Sequence, residues 1–416
     1  MAGVTAAREL KRAGLSVRVL EGRDRVGGRV FSIRDFCDAP LEGGAEFVHG
    51  VGAATWPEVR ASGVSTRPIP TTRGFMFNVG HKTQWLPQIL LHPEIWPTFT
   101  ILQSIRATRA PDISGREFIE RKKYRGRGRA LAEMVLTAHL PAGLDEVGVL
   151  GLVADGVVHL ETGVNHRVVE GYDSVPRFMA RELEVQHGFT VGRVAWSRDR
   201  VTVTSTAGEA LDARAAISTL PIGVLKSGKI RFDPELPEPR RAALDKVVMG
   251  PVSRFLMLFR EPFWPKSLST VGCAVGPITL YWNESYRAPG KPPVLTAYLT
   301  GPRAARWAAL SDAEAREVVL ADLERHFPKT RPRDLLVSTR RVDWSLDPFA
   351  CGGYTFLKPG GVGARQALAA TDTGALFWAG SATESSPIAA TVEAAYLSGK
   401  RAAAQTLSAL AASPAA

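Results

Sequence analysis

Residues 16–29 read Ser-Val-Arg-Val-Leu-Glu-Gly-Arg-Asp-Arg-Val-Gly-Gly-Arg. The run from Ser16 to Leu20, bounded by Gly14 and Glu21, predicts a short strand. The polar, glycine-rich stretch behind it predicts a turn. Ahead of it, Val4 to Arg12 predicts a helix ended by Gly14, with Lys11 and Arg12 in its last turn. Helix, strand, acidic residue and glycine-rich turn make the second half of a dinucleotide-binding βαβ unit. With Gly3 as the third glycine of the fingerprint, Glu21 follows 18 residues later. That spacing suits a carboxylate that accepts hydrogen bonds from both ribose hydroxyls of an adenosine. The other two glycines then fall upstream of Met1. The expectation is a sequence without the first strand and first two glycines of the unit, through a start set at an internal methionine or through a true truncation.

Working outward, 416 residues predict two or three domains. With 45% hydrophobic and 22% charged residues, disordered and fibrous classes are excluded. The three cysteines, Cys37, Cys273 and Cys351, form no C-x-x-C and no cluster of zinc spacing, so neither a metal nor a disulfide framework is expected. Few unpaired cysteines suit a reducing, cytoplasmic location. No uncharged apolar run reaches the roughly 18 residues of a membrane span, and the N-terminus lacks the order of a signal peptide. The net charge of +11 allows an anionic partner, nucleic acid or membrane surface. The one dense basic run, Arg121-Lys-Lys-Tyr-Arg-Gly-Arg-Gly-Arg129, reads as a solvated helix end or loop. No aromatic platform or zinc-finger spacing accompanies it, so no nucleic-acid partner is expected.

Further along, Ala130 to His139 predicts a helix, as does Ser174 to Leu183. Strands are expected around Thr190 to Trp196, Val201 to Ser205, Ala215 to Pro221, Phe255 to Phe259 and Leu376 to Gly380. Ser311 with Glu314 three residues on is a capping box opening a helix to His326. Thr391 to Leu407 predicts a long final helix.

Several motifs then recur in a fixed order: Val19-Leu-Glu-Gly-Arg-Asp-Arg-Val-Gly-Gly-Arg29, Gly44-Ala-Glu-Phe-Val-His-Gly50 and Arg167-Val-Val-Glu-Gly-Tyr-Asp173. Ser218-Thr-Leu-Pro-Ile-Gly-Val-Leu-Lys226, Glu261-Pro-Phe-Trp264, Trp344-Ser-Leu-Asp-Pro348, Ala379-Gly-Ser-Ala-Thr383 and Ala395-Tyr-Leu-Ser-Gly399 follow. In these the chain resembles the flavin-containing amine oxidases, the monoamine and polyamine oxidase group. The resemblance implies an α/β fold: a doubly wound, Rossmann-like FAD-binding domain with an inserted mixed α+β substrate domain. The FAD domain would be discontinuous, from 1–54, 165–236 and 370–416, with 55–164 and 237–369 forming the substrate domain.

It also implies roles for single residues. Glu21 matches the ribose carboxylate and Arg29 an arginine near the pyrophosphate, where a guanidinium fork suits phosphate oxygens. Gly3, Gly27 and Gly28 let backbone approach the cofactor, and Gly44 and Ala45 lie beside the isoalloxazine. Val191 matches the backbone contact to adenine, Gly380 and Ser381 the turn at the pyrophosphate and ribityl chain. Val392 matches the donor to the flavin carbonyl. Arg23, Glu46 and Trp344, inside matching motifs, complete the cofactor set. The FAD would be non-covalent, because Cys351 is not at the flavinylating position.

Three departures stand out. Ser381 replaces the family's usual glutamate. Arg254 replaces the lysine that reaches flavin N5 through a water, and arginine cannot shed its proton. Tyr354 fits one wall of the aromatic cage, whereas Thr391 stands where monoamine oxidases carry the second tyrosine. Tyr354 reads equally as a strand aromatic, and His49 as substrate contact or core histidine.

The implied reaction is hydride transfer from the carbon alpha to a neutral amine onto the flavin. The imine then hydrolyses, and O2 is reduced to H2O2. The substrate would be a small-molecule amine. The rival readings are another oxidase or desaturase acting on an apolar carbon skeleton, and a non-catalytic homologue that no longer binds FAD.

Overall fold

The helix expected from Val4 forms over Ala2–Arg12 in the computed structural model, which describes residues 1–70, 73–80, 82–138, 140–156, 164–371 and 373–412. Its buried face is Val4, Ala6, Ala7 and Leu10, a helical spacing. It lies along the last helix, Val392–Ala412, and the two approach closely because the contact is small: a Cβ on Gly399 would fall 2.5 Å from the Ala2 carbonyl oxygen.

The strand Arg18–Leu20 pairs in parallel with Glu184–Gln186, and Ala216–Ser218 in parallel with Leu376–Trp378. Val17 and Ile217, beside the two inner strands, pack on the same cluster around Leu10. Both inner strands border one cavity, and among the described residues neither has a strand partner on its other edge. Beside them, Ala210–Ala213, Val201–Ser205, Val191–Trp196 and Arg231–Asp233 form a four-stranded sheet in that order.

The second region is built on a seven-stranded mixed sheet. Its order is Leu336–Asp343, Val252–Phe259, Val294–Thr300, Leu280–Asn283, Thr270–Cys273, Phe75–Asn78, Thr83–Trp85. Val252–Phe259 is buried on both faces, which explains its continuous apolar run and why it starts three residues earlier than the sequence predicts. Alternation sends Phe255, Met257 and Phe259 into a core with Val319 and Leu323 of the helix Asp312–His326. That helix opens on the expected box: the Ser311 side chain accepts from the Glu314 N–H, and the Glu314 carboxylate accepts from the Ser311 N–H. The opposite face of the sheet turns Arg254 and Tyr298, cross-strand partners, towards the cavity.

Helices between residues 86 and 154 close the other side. The one expected from Ala130 runs over Gly126–Thr137, and His139 lies outside the described residues. The helix from Ser174 ends at Ala180, ahead of Leu183.

Candidate active site

A single cavity of about 1800 Å³ runs from the Gly27–Gly28 turn to the seven-stranded sheet. Its first end is built by the 16–29 segment. Glu21 stands at the strand end, where its N–H donates to Gln186 O at 2.9 Å and its carboxylate accepts from the Arg23 N–H at 2.9 Å. Gly27 and Gly28 both take positive φ, 101° and 59°. A Cβ on Gly27 would sit 2.7 Å from Val30 O, whereas at Gly28 it would meet nothing within 4 Å. The turn is therefore open where it faces the cavity. Gly3, at the start of the first helix, lines the same space, with Val191, Gly380, Ser381 and Val392.

Gly44 borders the same cavity and has a steric reason of its own to be glycine. A Cβ there would collide with the Arg29 carbonyl oxygen, which accepts from the Ala45 N–H at 2.9 Å. Trp344 closes this corner, its indole N–H donating to Gly43 O at 2.9 Å.

The two arginines of the turn behave differently. Arg23 is bidentate to Asp347, at 2.8 and 2.6 Å, with its guanidinium against the Phe349 ring. Arg29 donates to Gly353 O at 2.5 Å and Ser381 Oγ at 3.4 Å, and among the described residues it has no carboxylate partner. Burial, and then the neighbouring Arg23 charge, bring its pKa down to about 10. A partly buried guanidinium with no carboxylate partner among the described residues, beside an open glycine turn and a helix N-terminus, fits a bound diphosphate. The residues present thus fit the FAD that the sequence implies. Ser381 supplies a hydroxyl beside Arg29 where a carboxylate would have paired with it.

At the other end, charge is concentrated and enclosed. Arg254 donates to Glu42 O at 2.8 Å and to the Glu46 carboxylate at 2.9 Å. Arg167 pairs with the other Glu46 oxygen and lies 3.1 Å from Glu284. Burial pushes the Glu46 carboxyl up, but Arg167 and Arg254 together overcome it and hold it below the usual range. Glu46, expected among the cofactor residues, borders the cavity and also bridges two arginines. Burial raises Glu42 to about 8, despite the bonds it accepts from the Tyr172 N–H and Ser32 Oγ.

Aromatic side chains cover this cluster. The Tyr354 and Tyr298 hydroxyls lie 2.9 Å apart, and Trp282 stacks on Tyr298 at 4.5 Å between centroids. The Arg254 guanidinium sits 5.1 Å from the Trp282 ring centroid. Thr391 also borders the cavity, with its hydroxyl engaged: it donates to Ile388 O at 2.6 Å and accepts from the Ala394 N–H at 3.1 Å. It caps the last helix. His49 bonds to Asn165 Oδ1 at 3.1 Å, and burial lowers its pKa.

The structure therefore brings Arg254 and Tyr354 to one end with Glu46, and Glu21, Arg29 and the glycines to the other. Sequence reasoning missed Tyr298, Trp282, Glu284 and Asp347. No local signal marks Tyr298 and Trp282: it is the pairing register of their strands that puts both rings on the Arg254 face.

The family model described as flavin containing amine oxidoreductase matches residues 1–99 and 129–407. Polyamine oxidase 3 of Oryza sativa subsp. japonica is 30% identical over 388 residues, covering 85% of this chain and 77% of its own length. A lysine-specific histone demethylase 1 homolog 2 from the same plant is 30% identical over 431 residues, covering 98% of this chain and 56% of the relative. Among solved structures, putrescine oxidase bound to putrescine aligns with a TM-score of 0.80 at 22% identity, covering 98% of this chain and 97% of that one. Cyclohexylamine oxidase from Brevibacterium oxydans IH-35A aligns at 0.83 and 19% identity, covering 99% and 97%. These two likenesses establish the fold, an α/β region joined to a second region built on the seven-stranded sheet. With its motifs, its cradle and the family match in agreement, the chain belongs to the flavin-containing amine oxidoreductases.

Proposed function

We propose that this enzyme oxidises a bulky or extended amine to an imine, which water hydrolyses, with O2 reduced to H2O2. What supports this most directly is that one cavity joins the diphosphate cradle at Arg29 to the aromatic end at Tyr354, Tyr298 and Trp282. Bound FAD supplies the two-electron acceptor for the substrate C–H and the route for those electrons to O2. Glu21 would hold the ribose, Arg29 the diphosphate, and the N-terminus of the last helix at Val392 would favour negative charge nearby. Tyr354 and Tyr298 would form the wall along which the amine is placed. Arg254 fixes Glu46 through its guanidinium and offers no proton relay. The apolar surroundings disfavour an ammonium and so favour the neutral amine.

None of the three cysteines lines the cavity among the described residues, which supports non-covalent FAD. Unpaired cysteines also fit a cytoplasmic location. No helix among the described residues is long and apolar enough to cross a membrane. We assign 1–54, 165–236 and 370–416 to FAD binding, and 55–164 with 237–369 to the substrate domain.

The relatives' names make putrescine, longer polyamines and cyclohexylamine the first substrates to test. The experiment mixes FAD-loaded protein anaerobically with each amine and follows loss of flavin absorbance, then admits air and measures peroxide. Bleaching by a bulky or extended amine, followed by stoichiometric peroxide, is the expected result. Flavin that stays oxidised with every amine would favour another oxidase or desaturase. Protein that takes up no FAD would point to a non-catalytic homologue.

A further inference from the structure

Of the eleven large apolar side chains exposed among the described residues, five fall between residues 86 and 99. Leu91 is 79% exposed, Trp96 58% and Phe99 53%, with Leu86 and Leu90 exposed beside them. They form one patch. Leu86 and Leu90 are four apart across the turn of Leu86–Ile89 and its cap, the Trp96 indole N–H donates to Leu90 O at 2.9 Å, and Trp96 and Phe99 share a face of the 3₁₀ helix Pro93–Thr100. The segment is held from beneath: Ile89 and Ile95 are fully buried with Val79. The leucines and the tryptophan therefore point outward because the isoleucines point in. Apolar patches of this kind on a soluble fold mark interaction sites.

The basic run lies against this patch. The helix Gly126–Thr137 begins beside His92 and Glu94, with Arg127 Nη1 3.0 Å from His92 Nδ1 and 3.6 Å from Glu94. Just ahead of it, Lys122, Lys123 and Arg125 are exposed, and among the described residues none has an ion pair. Residues 82–133 carry ten basic and five acidic side chains, so this stretch supplies about half of the net charge of +11. Leu86 and Phe99, while exposed, also line the cavity, so the patch surrounds an opening into it.

We propose that this face docks on an anionic lipid bilayer, with the 86–99 side chains in the interface, Lys122, Lys123 and Arg125 on the headgroups, and the cavity mouth turned towards the lipid. An aliphatic and aromatic surface with a cationic border matches both layers of such a membrane. A second copy would bring like charge against like charge. A nucleic acid would leave three leucines without a partner. The inference rests on the proposed amine oxidation only in its consequence: an amine dissolved in the bilayer would reach the cavity without crossing water.

The test is vesicle flotation of the FAD-loaded protein with phosphatidylcholine alone and with added phosphatidylglycerol. Binding is expected only with phosphatidylglycerol, and it should weaken as salt rises. Lys122→Gln with Lys123→Gln should weaken it by roughly fivefold per residue. Leu91→Asp with Trp96→Asp should abolish it. Neither Leu91, Trp96, Lys122 nor Lys123 lines the cavity, so flavin reduction by a water-soluble amine should be unchanged in both variants. Absence of binding, binding that both double variants retain, a dimer that Leu91→Asp with Trp96→Asp dissolves, or binding to RNA in place of vesicles would each overturn the proposal. Whether any amine reduces the flavin is read separately and bears on the reaction, not on the docking.

Discussion

Arg254 and Glu46 lie 2.9 Å apart, and both are almost wholly removed from water. Glu46 depends on two cations, one from the strand Val252–Phe259 and one from Val164–Val168.

Arg254→Met should cost about 3 kcal/mol of stability, because it leaves a buried carboxylate with one partner and the Glu42 carbonyl with none. Arg254→Lys should recover only part, since one ammonium cannot reproduce the fork that reaches both acceptors. Urea midpoints of the two variants and of Arg254→Met with Glu46→Gln check this. The double variant should be less destabilised than the sum of the singles.

Arg29→Met should act in opposite directions on the two forms of the protein. Without FAD it removes a buried charge that lacks a counter-ion, so the melting temperature of the flavin-free protein should rise. With FAD it removes the fork at the diphosphate, and affinity should fall by about 10- to 100-fold, the scale of a hydrogen bond to a charged group. Flavin titration and thermal melting of both forms decide the matter.

Glu42 gives a pH dependence with a definite sign. Its carboxyl titrates at about 8 when folded against 4.5 in the reference state. The folded protein therefore holds a proton that the unfolded chain has released, and this contribution to stability is lost as pH rises from about 4.5 through 8. Glu42→Gln, which keeps the shape and offers an amide donor to Ser32, should remove this loss. The variant should match the wild type at pH near 4 and exceed it above about pH 8, read from urea midpoints across that range.

Thr391 predicts a separation of stability from specificity. Thr391→Ser should preserve the cap on the last helix. Thr391→Tyr should lose it, at about 1 kcal/mol, and narrow the cavity. Anaerobic flavin reduction should then shift towards smaller amines, and equal preference in Thr391→Tyr and wild type would count against a site shaped at this position.

The inner edges of Arg18–Leu20 and Ala216–Ser218 predict a response to an added strand. An extended apolar segment fused ahead of Ala2 should seat along these edges and satisfy their N–H and C=O groups. The fused protein should melt higher and retain more FAD on gel filtration than the protein without the fusion.

Much of this was legible in the residues. The strand end at Glu21, the double glycine, the capping box at Ser311 and the last helix all carry local signals of short range. The charge cluster was not legible, because Glu46, Arg167, Arg254 and Glu284 are far apart in the chain and meet only through sheet pairing. Nothing local to Glu46 signals that its carboxylate meets two arginines so distant in the sequence. Tyr298 was hidden by its setting, an apolar strand in which one aromatic resembles any other. In the sequence Thr391 stands out only as an absent ring, because its role as a cap depends on where the last helix begins.

The first helix lies against the last, with Ala2 in contact with Gly399. The cofactor cradle is drawn from distant parts of the sequence: Gly27 and Arg29 lie more than 350 residues before Gly380, Ser381 and Val392. FAD binding is therefore coupled to the packing of the first helix on the last, because the cradle exists only when both are in place. Cellular flavin supply should therefore govern how much newly made protein survives proteolysis.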